Sequence, residues 1–385
     1  MKSLFQKIDK PLFILMIVYS ILGVVMILSA SSVSAVLRYQ VSPSYFFIRQ
    51  VIFVVFSFIL GIFFILKLPT KKYKYLAPFY LAIVIALLFY VFSYGFVAGG
   101  AQSWIDLYFF NLQPTEFAKT ALIIYMGVFY EKSIKKHKPF THNFIPILIA
   151  VIIFFFVAQQ PDFGGAAIIA GIVFFTFLKV PFEEKNKVNV IKYIGIGLIV
   201  AVIALLYSGS DIFNSAQLSR LKFANPCQRY TEDTGYQVCN GFIAYHNGGL
   251  FGVGLGNSSQ KYLYLPEAHT DFIFPILVEE LGLMVGILVI FGYAYMLYRI
   301  LKIAKSADNI RNALICYGTF IYLLLHLLIN FMGSLALIPL TGVPIPFLSY
   351  GGSFNMNVIL MLFVVQRIAI ENKQNQEKRA LAMLS

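Results

Sequence analysis

Apolar segments long enough to cross a membrane recur along almost the whole chain, and they restrict the fold more than any other feature. A helix needs roughly 20 apolar residues to span the hydrocarbon core, and about ten segments approach that length. The sequence therefore predicts an all-α, polytopic membrane protein with a single membrane domain over residues 1–385. The predicted spans are residues 12–33, 50–66, 76–97, 114–130, 144–160, 163–180, 192–208, 272–300, 314–337 and 353–370.

The composition agrees with this fold class. The chain is 59% hydrophobic and only 12% charged, which is too apolar for a soluble domain. No secretory signal peptide is predicted, because the first apolar run is longer than a typical signal core.

Positive charges predict the orientation, because Lys and Arg are retained on the cytoplasmic side. With both termini cytoplasmic, all but seven of the 30 Lys and Arg residues fall in cytoplasmic segments. The exceptions are Arg38, Arg49, Lys119, Arg220, Lys222, Arg229 and Lys261. Topology thus accounts for the net charge of +13. The basic clusters lack interleaved aromatic residues, so no nucleic-acid partner is expected.

One long polar segment, residues 209–271, follows the seventh span and is predicted to be a large extracellular loop. Its mixture of aromatic, Gly and amide residues is typical of a folded loop rather than a disordered linker. A second irregular external stretch, residues 338–353, is rich in Pro and Gly, and residues 371–385 are predicted to be a cytoplasmic tail. The run "GVGLGNSSQK" lacks the ending of a P-loop, so no nucleotide-driven motor is expected.

Two of the three cysteines, Cys227 and Cys239, lie in the predicted extracellular loop. An oxidising compartment would allow them to form a disulfide, and we treat that bridge as a hypothesis. Cys316 lies in an apolar span and is interpreted as a small packing residue.

Several charged side chains are predicted to lie near the outer membrane boundary, where a charge is costly and therefore a functional candidate. Glu116 and Lys119 are three residues apart on one helix face, after Pro114 in the first turn. Asp162 and Asp271 each directly precede an apolar span. We expect Glu116, Asp162 and Asp271 to share a depth, with Lys119 within a turn of it. Glu279 and Glu280 follow about two turns deeper.

Structural interpretations of these residues remain open. Asp271 and Asp162 could each be the N-cap of the helix that follows, and Glu116 with Lys119 could be a structural ion pair. Trp104 could be an interface anchor or a platform for a ligand.

Histidines give weaker signals. His246 and His269 lie in the extracellular loop without a Cys or carboxylate at ligand spacing, which is a weak zinc pattern. His326 lies in an apolar span and is predicted to be a hydrogen-bonding residue that faces the bundle, with a proton relay as the alternative. Taken together, the charges and the two irregular loops suggest a cavity open to the outside, suited to a lipid-anchored substrate or to a transporter.

Four blocks carry a resemblance to a known family: "QPTEFAK", "QQPDFGG", the run from "GYQVCNGF" to "LVEELGL", and "GVPIPFLSYGGS". In this order they resemble the shape, elongation, division and sporulation (SEDS) family of bacterial peptidoglycan polymerases, over residues 12–370. The opening segment and the Cys-containing loop look more like the FtsW and SpoVE branch than the RodA branch.

The resemblance implies a ten-helix protein of the bacterial cytoplasmic membrane, with both termini cytoplasmic. It also implies polymerisation of lipid II, on the outer face, into glycan strands for cell division or cell shape. The implied partners are a class B penicillin-binding protein and other membrane proteins of the divisome or elongasome.

The family's essential aspartate matches Asp271, and its other functional positions match Trp104, Glu116, Lys119, Asp162 and the block from Ser349 to Ser353. The expected substrate-binding set is completed by Arg220, Lys222, Gln260 and Lys261. One departure is Ser103, which stands where relatives often carry a basic residue before the tryptophan.

The implied reaction is an inverting glycosyl transfer from a polyprenyl-pyrophosphate sugar. Asp271 is assigned as general base, and Lys119, helped by Arg220 or Lys222, as the cation that stabilises the leaving group. Asp271, Glu116 and Asp162 could also bind a divalent cation such as Mg or Mn, and no cofactor is firmly expected. The main alternative is a lipid II flippase, and a third is a scaffold that only activates the penicillin-binding protein.

Overall fold

The computed structural model describes residues 2–98, 101–107, 110–160, 162–185, 187–192 and 223–383, and the architecture is given for these residues. The predicted seventh span, residues 192–208, lies outside them except for Lys192. The predicted extracellular loop is described from residue 223 onward.

The fold is built from α-helices, as predicted. In chain order they are α1 (Lys2–Phe5), α2 (Lys10–Leu37), α3 (Tyr45–Leu60), α4 (Tyr73–Tyr94), α5 (Pro114–Lys135), α6 (Ile145–Gln159), α7 (Phe163–Leu178), α8 (Asp233–Gly248), α9 (Ile273–Leu281), α10 (Leu283–Lys305), α11 (Ile310–Ser334) and α12 (Gly352–Ala382). Gly61–Ile65 continues α3 as a π-helical turn, and 3₁₀ turns cover Thr70–Lys72, Phe140–Phe144 and Pro226–Arg229.

Seven helices in the described part of the chain are long and apolar enough to cross a membrane, and α7 is a shorter apolar helix. The chain is therefore a multi-pass membrane protein. The total of ten spans remains a prediction, because the seventh predicted span falls outside the described residues.

A small antiparallel sheet, which the sequence analysis does not predict, lies between α4 and α5. Its strands are β1 (Phe96–Ala98), β2 (Ala101–Asp106) and β3 (Asn111–Leu112), in the order β1-β2-β3. Phe96 pairs with Trp104, and Ile105 pairs with Leu112. We call the end of the bundle that carries this sheet the sheet end, and the opposite end the tail end.

The helix α12 lies in the interior, with its residues from Ser353 to Ile370 almost continuously buried. It packs against α3, α5, α10 and α11. Helices such as α3 and α4 instead expose large apolar side chains, including Phe64, Tyr75 and Phe79. Lipid replaces water around a membrane bundle, so this outward apolar surface is the expected one.

A buried ion-pair network fastens the tail end. Arg311 of α11 pairs with Glu131 of α5 at 3.0 Å and donates to Thr70 Oγ1 at 3.1 Å. Thr70 Oγ1 in turn donates to Glu371 at 2.5 Å. Glu371 belongs to the predicted tail, which continues α12 as a helix to Ala382. The network thus ties three helices together where the spans end.

The predicted eighth span, residues 272–300, is wrong as a continuous helix. It breaks at Gly282, whose φ of +86° favours glycine. A Cβ on Gly282 would lie 2.4 Å from the Leu250 carbonyl oxygen. The membrane-spanning helix is α10 alone, while α9 is a separate nine-residue helix whose residues from Ile273 to Glu280 are buried. The apolar periodicity continues across the break, which conceals it in the sequence.

Candidate functional site

Asp271 lies at the sheet end, in the turn that precedes α9, and its side chain is partly exposed. The N-cap of α9 is Phe272, without a side-chain capping bond. The interpretation of Asp271 as a helix cap is therefore wrong. A tight turn holds its backbone, since Phe272 N donates to Glu267 O at 3.1 Å and Thr270 Oγ1 donates to Glu267 Oε2 at 2.8 Å. Helix capping therefore does not explain why a carboxylate stands at this position.

The Pro/Gly-rich loop, residues 338–353, binds the backbone of the two residues that directly precede Asp271. Ser349 Oγ donates to Thr270 O at 2.7 Å, and Tyr350 N donates to His269 O at 2.8 Å. Asn355 Nδ2 then donates to Ser349 O at 2.7 Å. Ser349 is fully buried, so its hydroxyl contributes to the site by fixing the backbone around Asp271.

Lys119 and Glu116 form a buried ion pair on α5, with Nζ 2.7 Å from Oε1. Only 1% of Lys119 and 3% of Glu116 is exposed. The structural pairing that the sequence left open is therefore present. Lys119 Nζ also lies 3.2 Å from His326 Nε2.

His326 connects this pair to the Pro/Gly-rich loop. Its Nδ1 lies 3.1 Å from Pro344 O, so that nitrogen carries the proton and donates to the carbonyl. Its Nε2 is then the acceptor for the Lys119 ammonium. His326 is fully buried and stacks on Phe354. The prediction of a bundle-facing, hydrogen-bonding histidine is confirmed.

Asp162 is the N-cap of α7, and its Oδ1 accepts from Gly165 N at 2.8 Å. The capping interpretation of Asp162 is therefore correct. The carboxylate also interacts electrostatically with Glu116. Asp162 Oδ2 is buried without a hydrogen-bond partner among the described residues, whereas Glu116 also faces the buried hydroxyl of Tyr322. Asp162 Oδ2 is therefore a polar atom that a substrate group could satisfy.

Two residues of α11, one turn apart, join the aspartate to the lysine. Asn330 Nδ2 donates to Asp271 O at 2.9 Å and to Val343 O at 2.7 Å, while His326 donates to the next carbonyl, that of Pro344. Residues i and i+4 share a helix face. The contacts of segment 342–344 therefore place the Lys119 pair within about one helical turn of Asp271 along α11.

The start of α7 reaches the same segment. A Cβ on Gly164 would lie 2.5 Å from Val343 Cγ2, so only glycine allows this approach of the helix. Asp162, two residues earlier in the chain, is thereby brought close to Glu116.

Ser353 and Trp104 lie in the region where the small sheet meets the start of α5. Ser353 Oγ donates to Asn111 O at 3.1 Å and accepts from Gln113 N at 3.2 Å, so it fixes the start of α5 that carries Glu116. Trp104 lies in β2 and is partly exposed, whereas Ser103 is fully buried. Trp104 therefore keeps the side-chain access that a ligand platform requires.

Gln260 and Lys261 are not next to Asp271. They lie at the other end of α9, about 13 Å of helix away. Lys261 Nζ pairs with Glu280 at 3.1 Å, and Gln260 N donates to Glu279 Oε2 at 3.3 Å. Both side chains are buried. Lys261 thus neutralises Glu280, and the backbone of Gln260 binds Glu279, which the sequence alone does not indicate.

The remaining predicted residues fall elsewhere. Cys227 and Cys239 are joined by a disulfide, and Cys316 is a buried free thiol. Arg220 and Lys222 lie outside the described residues. Among the residues that the structure describes, no group of three or more His, Cys, Asp or Glu side chains could hold a metal ion. Glu116 instead pairs with Lys119, and Asp162 caps α7.

Asn330 and Gly342 are site residues that the sequence analysis missed. The signal for Asn330 was an uncharged polar residue inside an apolar span, which must find hydrogen-bond partners in the bundle. Gly342 has a φ of +69°, and a Cβ there would lie 3.1 Å from Asp271 Oδ2. No local pattern marks such a contact between segments so distant in the chain.

Comparisons with known proteins agree with this architecture. A family model for FtsW, RodA and SpoVE, described as a cell cycle protein, matches residues 9–374. The probable peptidoglycan glycosyltransferase FtsW of Bacillus subtilis is 33% identical over 389 residues, covering 98% of this chain and 94% of that protein. The stage V sporulation protein E of the same organism is 31% identical over 361 residues, covering 93% and 94%.

Solved structures show the same fold. One chain of a peptidoglycan synthase complex that coordinates polymerization and crosslinking has a TM-score of 0.73 and 21% identity, covering 95% of this chain and 99% of that chain. The rod shape determining protein RodA of Thermus thermophilus has a TM-score of 0.67 and 22% identity, covering 95% and 97%. This chain belongs to the FtsW, RodA and SpoVE family of cell cycle proteins.

Proposed function

We propose that this chain is a peptidoglycan glycosyltransferase that polymerises lipid II into glycan strands at the sheet end of its membrane bundle. The observation that carries the proposal is the placement of Asp271. Its partly exposed carboxylate is not used as a helix cap, and its backbone is held from two segments distant in sequence, by Asn330 and Ser349. Relatives of both the FtsW and SpoVE types match almost the full chain.

In the proposed reaction, the 4-hydroxyl of an acceptor sugar attacks the anomeric carbon of a donor sugar. Asp271 accepts the hydroxyl proton as the new C–O bond forms, a contribution of roughly 10²–10⁴-fold. The bond to the polyprenyl pyrophosphate breaks, and the leaving group departs with the electron pair. Attack opposite to the leaving group inverts the anomeric centre, and the energy comes from the pyrophosphate, so no nucleotide is required.

Lys119 supplies the positive charge for the departing pyrophosphate. An ammonium group has three protons, and the described residues provide two acceptors, Glu116 Oε1 and His326 Nε2. The third proton is left for a phosphate oxygen. Because the lysine is buried, its charge is little screened by solvent and is held in place before the reaction.

The proposal includes an orientation and a partner. Retention of Lys and Arg on the cytoplasmic side supports cytoplasmic termini, with the sheet end outside. A class B penicillin-binding protein would then crosslink the peptides of the strands made here. The fold's likeness to a chain of a peptidoglycan synthase complex supports that partnership.

The test is polymerisation of purified lipid II in detergent by the chain with its cognate penicillin-binding protein. Asp271→Asn should lower strand synthesis by at least about 10²-fold with unchanged expression and thermal stability. The matched control is Asp233→Asn, at an exposed position in the first turn of α8, which should keep wild-type synthesis. Full activity of Asp271→Asn would remove the aspartate from the mechanism. Absence of synthesis by the wild type would instead favour a flippase or a scaffold.

A further inference from the structure

An uncharged, glycine-rich tip lies between α8 and α9, and the proposed chemistry gives it no role. We define the tip as residues 249–255, "GLFGVGL". Its large side chains point away from the protein: Phe251 is 84% exposed, Leu250 57% and Leu255 53%. Three exposed apolar side chains on so short a segment require an apolar partner.

The tip is fixed to the first turn of the spanning helix α10. Leu283 N donates to Gly249 O at 3.0 Å, and Met284 N donates to Leu250 O at 3.2 Å. The helix α10 has 23 residues, which gives it a length of about 34 Å, enough to cross the hydrocarbon core by itself. Its first turn therefore lies at a membrane boundary, and the tip lies there with it.

The surface next to the tip is already one that faces lipid. Leu283, Met284 and Leu288 of α10 are 43%, 58% and 69% exposed. Because α10 is a membrane span, the acyl chains of the bilayer cover these side chains. The exposed side chains of the tip continue this surface at the level of Leu283 and Met284.

Several polar groups of the tip's backbone are paired within the protein, which favours apolar surroundings, where each unpaired polar group is costly. Gly252, Val253 and Gly254 donate their N–H groups to the carbonyls of Gly248, Glu279 and Glu280 respectively. The carbonyls of Gly249 and Leu250 accept from α10, and Asn257 Nδ2 donates to Val253 O. These bonds are internal to the protein and survive the loss of water.

We propose that the tip inserts into the leaflet at the sheet end and that its partner is the acyl chains of the bilayer. The insertion would anchor α9, because a Cβ on Gly252 would lie 2.3 Å from Glu280 O and the tip therefore packs directly on the end of that helix. Asp271 lies in the turn that precedes the same helix. The tip thereby sets the depth of the aspartate relative to a lipid-anchored substrate. The insertion itself does not depend on Asp271 acting as a base.

Tryptophan fluorescence in lipid vesicles tests the insertion. The chain has a single tryptophan, so the wild-type signal can be subtracted from that of Phe251→Trp. The variant is reconstituted in phosphatidylcholine vesicles with and without brominated acyl chains. Phe291→Trp, 68% exposed on α10, is the lipid control, and Gln376→Trp, at an exposed position near the end of α12, is the water control.

We expect brominated lipid to quench the introduced tryptophan of Phe251→Trp to an extent comparable with the lipid control, and aqueous iodide to quench it much less than the water control. Quenching by iodide with no response to brominated lipid would overturn the proposal. The proposal would also be overturned if the introduced tryptophan were protected from iodide only after a penicillin-binding protein is added. The partner of the tip would then be a protein. Each outcome is independent of glycan synthesis.

Discussion

Gly342 and Asp271 are in near contact, although 71 residues separate them in the chain: a Cβ on the glycine would lie 3.1 Å from Asp271 Oδ2. The glycine adopts a φ of +69°, which an L-residue with a side chain adopts at a cost of about 1–2 kcal/mol. The position thus requires glycine for two reasons, its backbone conformation and the space beside the carboxylate.

Gly342→Ala should therefore displace the carboxylate by a few tenths of an ångström and lower glycan synthesis. Misplacing a reacting group by about 1 Å can cost about 10²-fold, so we expect a loss of about tenfold or more for this smaller shift. The control is Gly333→Ala in α11, where the nearest atom to a new Cβ is Leu340 Cδ1 at 3.7 Å. Equal activity of the two variants would contradict the inferred crowding.

Replacement of Lys119 by Met should reduce both stability and synthesis. Glu116 would be left as an uncompensated buried charge, which destabilises a protein by about 3–5 kcal/mol. The double variant Glu116→Gln/Lys119→Met removes both charges and should restore the free energy of unfolding to near the wild-type value. Synthesis by the double variant should stay about 10²–10³-fold low, because the cation for the pyrophosphate is missing. Recovery of synthesis together with stability would show that the pair is only structural.

His326 should act as a positioning residue, and two substitutions separate its roles. Gln keeps a donor for Pro344 O and an acceptor for Lys119, whereas Leu removes both. A hydrogen bond to a charged group contributes about 1.5–3 kcal/mol, which corresponds to a change in turnover of about 10- to 150-fold. We expect His326→Leu to lose turnover by this factor with a smaller change in KM, and His326→Gln to retain most of it. Loss of turnover in both variants would indicate that the imidazole itself takes part.

The sequence predicts most of the membrane helices because a span must be apolar over a fixed length, and this rule acts locally. The same rule fails at Gly282, where the apolar pattern is continuous but a loop from elsewhere in the chain packs on the glycine. Asp162 and Asp271 show the limit for the site. Both precede apolar helices, yet one caps its helix and the other does not. The difference arises from contacts with α11 and the loop at 338–353, and these follow from tertiary structure alone.

The buried His269 should make the stability of the protein depend on pH. It lies outside the spans, among Phe46, Tyr39 and Tyr350. Burial, aided by the nearby charge of Arg38, lowers its pKa to about 4, whereas histidine in an unfolded chain has a pKa of about 6.5. The unfolded chain thus binds the proton more readily. The contribution to stability is complete above about pH 6.5 and is lost as the pH falls toward 4.

Between pH 7.5 and pH 5, wild type should lose about 2 kcal/mol more in its free energy of unfolding than His269→Phe does. Phe cannot be protonated, and it keeps an aromatic ring in contact with Phe46 and Tyr350. Denaturant unfolding in mixed micelles at several pH values provides the measurement, and comparison of the two proteins removes the contribution of carboxylates that titrate in both. Parallel loss of stability in wild type and variant would mean that the imidazole takes up its proton as readily in the folded protein as in the unfolded chain.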